Sequence, residues 1–157
     1  MQIDDVDRGI IAYLAVDARA SYAEIGTTVS LSAPAVKRRV DRLRAAGVIQ
    51  GFTVVVDPAA VGWATEAFVE LFCTGRTTPR QITAAVRQHP EVVGAYTVSG
   101  EADALVHLRA SDIGHLEQAL ERLRAEPFVT STRSMIVLSR LVEKTATAPP
   151  AGPAATG

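Results

Sequence analysis

The chain has 157 residues, room for one domain or two small ones. Its 16 Lys+Arg against 17 Asp+Glu give a formal net charge of −1, and 48% of residues are hydrophobic. That balance excludes a wholly disordered chain and a histone-like polycation. No apolar stretch approaches the ~18 residues of a membrane span. The acidic start, Met1-Gln2-Ile3-Asp4-Asp5, lacks the basic-then-apolar pattern of a secretory signal. Cys73 is the single cysteine, so no internal disulfide can form. The expectation is a soluble, cytoplasmic protein.

In chain order, Asp4 is placed to cap a helix through about Asp17, with Val6, Ile10, Ile11 and Leu14 at helical spacing. Ser21 is the next cap, and Glu24 completes a capping box for a helix carrying Ile25 and Val29. After a tight Ser30-Leu31-Ser32 connection, Ser32 caps a third helix. That helix has Pro34 in its first turn, inward Val36, Val40 and Leu43, and Gly47 just past its end. Gly51–Val56 (GFTVVV) reads as a strand stopped at Asp57-Pro58, and Thr65–Cys73 as another. Thr78-Pro79 opens a short helix with Ile82, Ala85 and Val86 on one side. Val92–Val98 and Ala104–Leu108 are strands around a Ser99-Gly100-Glu101 turn. Ser111 or Asp112 caps a helix carrying Ile113, Leu116, Leu120 and Leu123, and Ser134–Val142 is the last strand.

The fold class is therefore α+β. A winged-type or three-helix helix-turn-helix is followed by a βαββαβ, ferredoxin-like antiparallel sheet domain. Domain bounds fall at 1–50, a linking strand and connector at 51–62, the sheet domain at 63–144, and a disordered tail at 145–157. Phe68 and Phe72 alternate with Ala67, Val69 and Leu71, while Met135 and Val137 alternate with Ile136 and Leu138. Two helices cover one sheet face only, so a second copy of the chain is expected on the other.

Charge is concentrated in the third helix. Ala33–Ala46 holds five basic residues against Asp41 alone, in a nearly neutral chain. At 1.5 Å per residue this helix is ~21 Å long, enough to lie in a major groove. Small Ala33, Pro34 and Ala35 allow close approach to bases. Lys37, Arg38 and Arg42 reach phosphates from the same outward surface as Asp41, and Ser21 and Ser32 offer hydroxyls and helix N-termini to phosphate oxygens. Arg39 lies beside the buried stripe and can pack or pair within the domain instead. Double-stranded DNA is the expected partner. A solvated helix face or a three-helix protein-interaction module are the alternatives to weigh against it.

Near the second turn, Gly100 exposes backbone N–H groups that suit a carboxylate, and Asp103 supplies a negative charge for an α-ammonium. Those two groups suit a zwitterion; a plain hairpin turn has the same residues. His89, His107 and His115 show no metal-ligand spacing, Cys73 lies in an apolar strand, and no phosphate loop or nucleophile motif is present. No catalysis, metal or cofactor is expected.

The run LSAPAVKRRVDRLRAAGVIQGF (Leu31–Phe52) strongly resembles the Lrp/AsnC, or feast/famine, family of bacterial transcription regulators. Asp4-x-x-Asp7-x-x-Ile10-Ile11 and Val98-Ser99-Gly100-Glu101-Ala102-Asp103 fit the same family, so the resemblance spans about residues 3–143. It implies that Gly51–Val56 pairs with its counterpart in a dimer, that dimers assemble into octamers, and that an amino-acid effector binds near Ser99, Gly100, Glu101, Ala102 and Asp103. Family members often carry an aromatic residue before the Asp. Ala102 removes that pocket wall here, and Thr130, Ser131, Thr132 and Ser134 are further candidates to border the pocket. The resulting expectation is a nucleoid-associated, sequence-specific, effector-responsive regulator. The alternatives are an effector-independent architectural DNA binder and an amino-acid-binding regulatory subunit acting through protein contacts.

Overall fold

The computed structural model describes residues 2–142, so the expected tail at 145–157 lies outside the described residues. The chain divides into two compact units, one reaching Val55 and the other spanning Val56–Leu141.

The first unit is three helices: α1 (Asp5–Val16), α2 (Tyr22–Val29) and α3 (Ala33–Ala45). Among its described residues it contains no strand, so the three-helix form, not a winged one, is what folds. Both first caps are reciprocal boxes. Asp4 accepts from the Asp7 N–H at 2.8 Å, and Ser21 accepts from the Glu24 N–H at 3.2 Å while Glu24 returns a bond to the Ser21 N–H. Ser32 takes the extended N-cap conformation, but its hydroxyl makes no capping bond, contrary to the sequence expectation. Pro34 occupies the second helical position and removes one of the two N–H groups such a cap would serve. Gly47 follows α3 at φ +70°, as expected of a C′ glycine. Val36, Val40 and Leu43 are buried, with Ile10, Leu14 and Ile25 from the other helices. Each such side chain contributes about 1.5–3 kcal/mol.

Gly51–Val56 does not form the expected strand: no ladder is assigned there, and Phe52, Val54, Val55 and Val56 are exposed. A strand is a pairing, and these residues have no ladder partner among the described residues.

The second unit is one antiparallel sheet with two helices. Its strands are β1 (Thr65–Cys73), β2 (Val92–Tyr96), β3 (Ala104–Ala110) and β4 (Val129–Ile136), in spatial order β2-β3-β1-β4. With α4 (Pro79–Val86) and α5 (Ile113–Arg124), the chain order is the split βαββαβ. Ala67, Val69 and Leu71 of β1 and Ala104, Val106, Leu108 and Ala110 of β3 meet Ile82, Val86, Leu116 and Leu123 of the helices.

Three element readings need correction. The last strand starts at Val129 and ends at Ile136, not at 134–142, because its ladder with β1 runs from Cys73↔Val129 to Ala67↔Ile136, with one further bond from the Val137 N–H to the Glu66 carbonyl. Strand β2 stops at Tyr96 rather than Val98. Ile113 stands in the exposed first turn of α5, and Ala119 is buried beside Leu116 and Leu123.

The sheet face away from the helices is mixed rather than wholly apolar. Phe68, Leu105, Tyr96 and Met135 share it with Glu66, Glu70, Arg109 and Arg133, as the cross-strand register requires. Its charges are paired within the chain. Glu66 receives His107, Arg109 and Arg140, and Glu70 receives Arg133 at 3.2 Å. His107 stacks on Phe68, with 4.6 Å between ring centroids. Burial works to raise the Glu66 pKa, but Arg140 and His107 outweigh it and hold the group below its ordinary value.

Candidate nucleic-acid interface and effector loop

A helix-turn-helix needs its second connection to be tight, and Gly26 makes that possible. A Cβ there would meet the Leu31 carbonyl oxygen at 2.3 Å. The Leu31 N–H closes the turn on the Gly26 carbonyl at 2.9 Å, and Ser30 between them adopts φ 54°. Gly26 escaped the sequence reading because a lone glycine inside a helical pattern carries no sign of what it approaches.

At 100° per residue, Pro34, Arg38 and Asp41 of α3 lie opposite its buried stripe and Lys37 lies on its flank, and all four are exposed. Ala33 and Ala35 are half-buried at the helix start. The Ser21 hydroxyl is engaged with Glu24, whereas that of Ser32 is exposed and makes no cap. Lys37 bonds Asp41 at 2.7 Å, one turn along, and the pair raises the Lys37 pKa. Arg38 is exposed and makes no ion pair among the described residues. Arg39 and Arg42 turn elsewhere. Arg42 Nη2 donates to both oxygens of Asp7 at 2.9 and 2.7 Å; Arg39 Nη1 donates to Asp7 at 2.8 Å and Asp4 at 2.6 Å. The sequence singled out Asp4 and Asp7 as motif residues without giving the Asp7 side chain a role. Their arginine partners lie 32 to 35 residues away, beyond any local pattern.

In the second unit, Ser99, Gly100, Glu101 and Asp103 are exposed, and Ala102 is buried. Gly100 has φ +156°, with open space where a Cβ would be. Asp103 is pinned at both ends: its N–H donates to the Leu71 carbonyl at 2.9 Å, and its Oδ2 accepts from the Cys73 N–H at 2.7 Å. The loop is thereby tied to the end of β1, and Oδ1 makes no hydrogen bond among the described residues. Thr130 donates to the Phe72 carbonyl at 2.8 Å, and Thr132 accepts from Arg124 at 2.9 Å. Cavities of about 360 and 270 Å³ in this unit lie at α4–β2 and beside Trp63, neither of them at the loop.

A helix-turn-helix with an exposed basic recognition helix, joined to a separate split βαβ sheet unit, defines a two-part DNA-binding regulator. Family profiles agree: an AsnC-type helix-turn-helix domain matches residues 3–44 and an Lrp/AsnC ligand binding domain matches residues 66–147. The HTH-type transcriptional regulator Rv2324 of Mycobacterium tuberculosis is 55% identical over 91% of this chain and 97% of its own length. Among solved structures, the feast or famine regulatory protein Rv3291c from M. tuberculosis, complexed with L-methionine, is 34% identical. It superposes with a TM-score of 0.87 over 94% of this chain and 100% of that one. The transcriptional regulator NMB0573 of Neisseria meningitidis, also an L-Met complex, is 25% identical with a TM-score of 0.86 over 94% and 97%. The chain belongs to the Lrp/AsnC family of transcriptional regulators.

Proposed function

We propose that this regulator reads duplex DNA with the outward face of α3 and adjusts its binding to an amino acid held near Ser99–Asp103. The observation carrying the first part is the exposure of Pro34, Lys37 and Arg38 on a helix whose Val36, Val40 and Leu43 stripe is fully buried. Ala33, Pro34 and Ala35 let the helix approach base edges, while Lys37, Arg38 and the Ser32 hydroxyl hold phosphates. Asp41 moderates Lys37 until a phosphate competes for it.

For the effector, Gly100 and its neighbours offer backbone N–H groups to the carboxylate, and Asp103 Oδ1 accepts the α-ammonium. Two related structures carry L-methionine, which supports an amino acid as the ligand class. Ala102 leaves the loop without an aromatic wall, so a cleft completed by a second subunit fits the proposal best.

The unit of function is a dimer closed across the open sheet face, with Gly51–Val56 as a strand paired to its counterpart and octamers as the higher assembly. Exposed Val54, Val55 and Phe52 support that reading, because burying them requires a second chain. Domain roles follow: 1–50 for DNA, 51–62 as linker, 63–144 for sensing and assembly.

Differential scanning of the twenty amino acids tests the sensing half. An amino acid should raise the melting temperature, and Asp103→Asn, which can still accept from the Cys73 N–H, should abolish the shift. A flat panel, or an unchanged response in Asp103→Asn, would instead leave an effector-independent DNA binder.

A further inference from the structure

The cationic helix is less available than its composition implies. Of its five basic residues, Arg39 and Arg42 are three apart on one flank of α3, and both converge on Asp7 of α1. The Asp7 side chain is wholly buried, with 0% of its surface exposed. It accepts from Arg39 Nη1, from Arg42 Nη2 on both oxygens, and from the Asp4 N–H at 3.3 Å. Asp4 adds a second carboxylate to Arg39 while capping α1 through the Asp7 N–H. Two arginines on one flank, held by a single buried anion, fix the rotation of α3 about its own axis. A buried carboxylate with this many donors is costly to leave half-paired, so the arrangement is held as a unit.

We propose that Asp7 is the positioning residue of the DNA interface. It sets the rotation of α3 so that Pro34, Lys37 and Arg38 face outward, and it withdraws Arg39 and Arg42 from the phosphate-contacting set. The proposal deepens the DNA-reading function and rests on it. Phosphate contact is then carried by Lys37 and Arg38, although Arg42 has the same charge and lies on the same helix. Without the Asp7 carboxylate Arg42 is released as a mobile cation, and Arg39 is left with Asp4 alone. Binding to any duplex persists, but discrimination between sequences falls because α3 no longer has one rotation.

The full-length chain is used to select a duplex from a randomised pool. Its affinity for that duplex and for a scrambled one is measured by fluorescence anisotropy between 50 and 300 mM salt. Arg38→Ala is expected to flatten the log–log salt slope by about one. Arg42→Ala is expected to leave the slope as in the wild type. Asp7→Asn is expected to lower the ratio of selected to scrambled affinity at least tenfold, with a slope no shallower than wild type. A purely stabilising role would lower both affinities together and keep the ratio. A one-unit flattening in Arg42→Ala, or an unchanged ratio in a folded Asp7→Asn, overturns the proposal. Should Asp7→Asn fail to fold, the Arg42→Ala slope decides alone. Failure of the wild type to select any duplex would instead count against the DNA-reading function itself.

Discussion

A methyl group at position 26 has nowhere to go. With a Cβ only 2.3 Å from the Leu31 carbonyl oxygen, Gly26→Ala must push apart the turn that joins α2 to α3. Overpacking of this kind costs about 1–3 kcal/mol, so urea unfolding should show a loss of that size, and a loss under ~0.5 kcal/mol would mean that the turn can relax. Glu91 makes a second residue-scale case. It is 3% exposed, bonds His115 at 2.8 Å and Arg122, and leaves Oε2 without a partner among the described residues. Burial works to raise its pKa, but its own backbone N–H, His115 and Arg122 outweigh that and lower it. A carboxylate whose folded pKa is lowered stabilises the fold above its unfolded value, and that contribution is lost as pH falls through the folded pKa. Glu91→Gln should therefore cost stability at pH 7, and the gap to wild type should narrow as pH drops below about 4.5, the ordinary glutamate value. Thermal melts across that range would refute the assignment if the gap stayed constant.

Among the elements, what was readable from sequence was what is local. The boxes at Ser21/Glu24 and the cap at Thr78 join residues three apart, so the helices they open could be placed to within a residue or two. Strand β1 was readable for a related reason, because its alternation of buried and half-buried residues is set by one sheet. The last strand was not. Thr130-Ser131-Thr132 looks like loop by composition and becomes strand only through pairing with Phe72 and Leu71, some sixty residues earlier. Gly51–Val56 fails in the opposite direction: its β-branched run has strand propensity but no ladder partner among the described residues. If a second copy supplies that partner, Val54→Asp and Phe68→Asp should each shift sedimentation from dimer to monomer at micromolar concentration. Phe68 lies on the open sheet face next to His107 and Met135. A wild-type monomer under the same conditions would remove the dimer from the account.

At the scale of the whole molecule, the family and both units were legible because the Leu31–Phe52 run is specific and the split βαββαβ order is fixed by its strands and helices. The side-chain arrangement on α3 was legible only in part. Helical periodicity separates Val36, Val40 and Leu43 from Lys37 and Arg38, but it cannot reveal that α1 supplies carboxylates to Arg39 and Arg42. A net charge count therefore overstates the cations left without an ion pair on α3. The Ser99–Asp103 loop was legible as a turn with an acidic residue; that Asp103 is anchored to the Cys73 N–H depends on the antiparallel pairing of β1 with β3. The most direct test is a salt titration of duplex binding by the wild type and the Lys37→Ala/Arg38→Ala double variant. Two lost phosphate contacts should flatten the log–log slope by about two and weaken binding throughout. An unchanged slope with unchanged affinity would show that this face of α3 does not meet DNA.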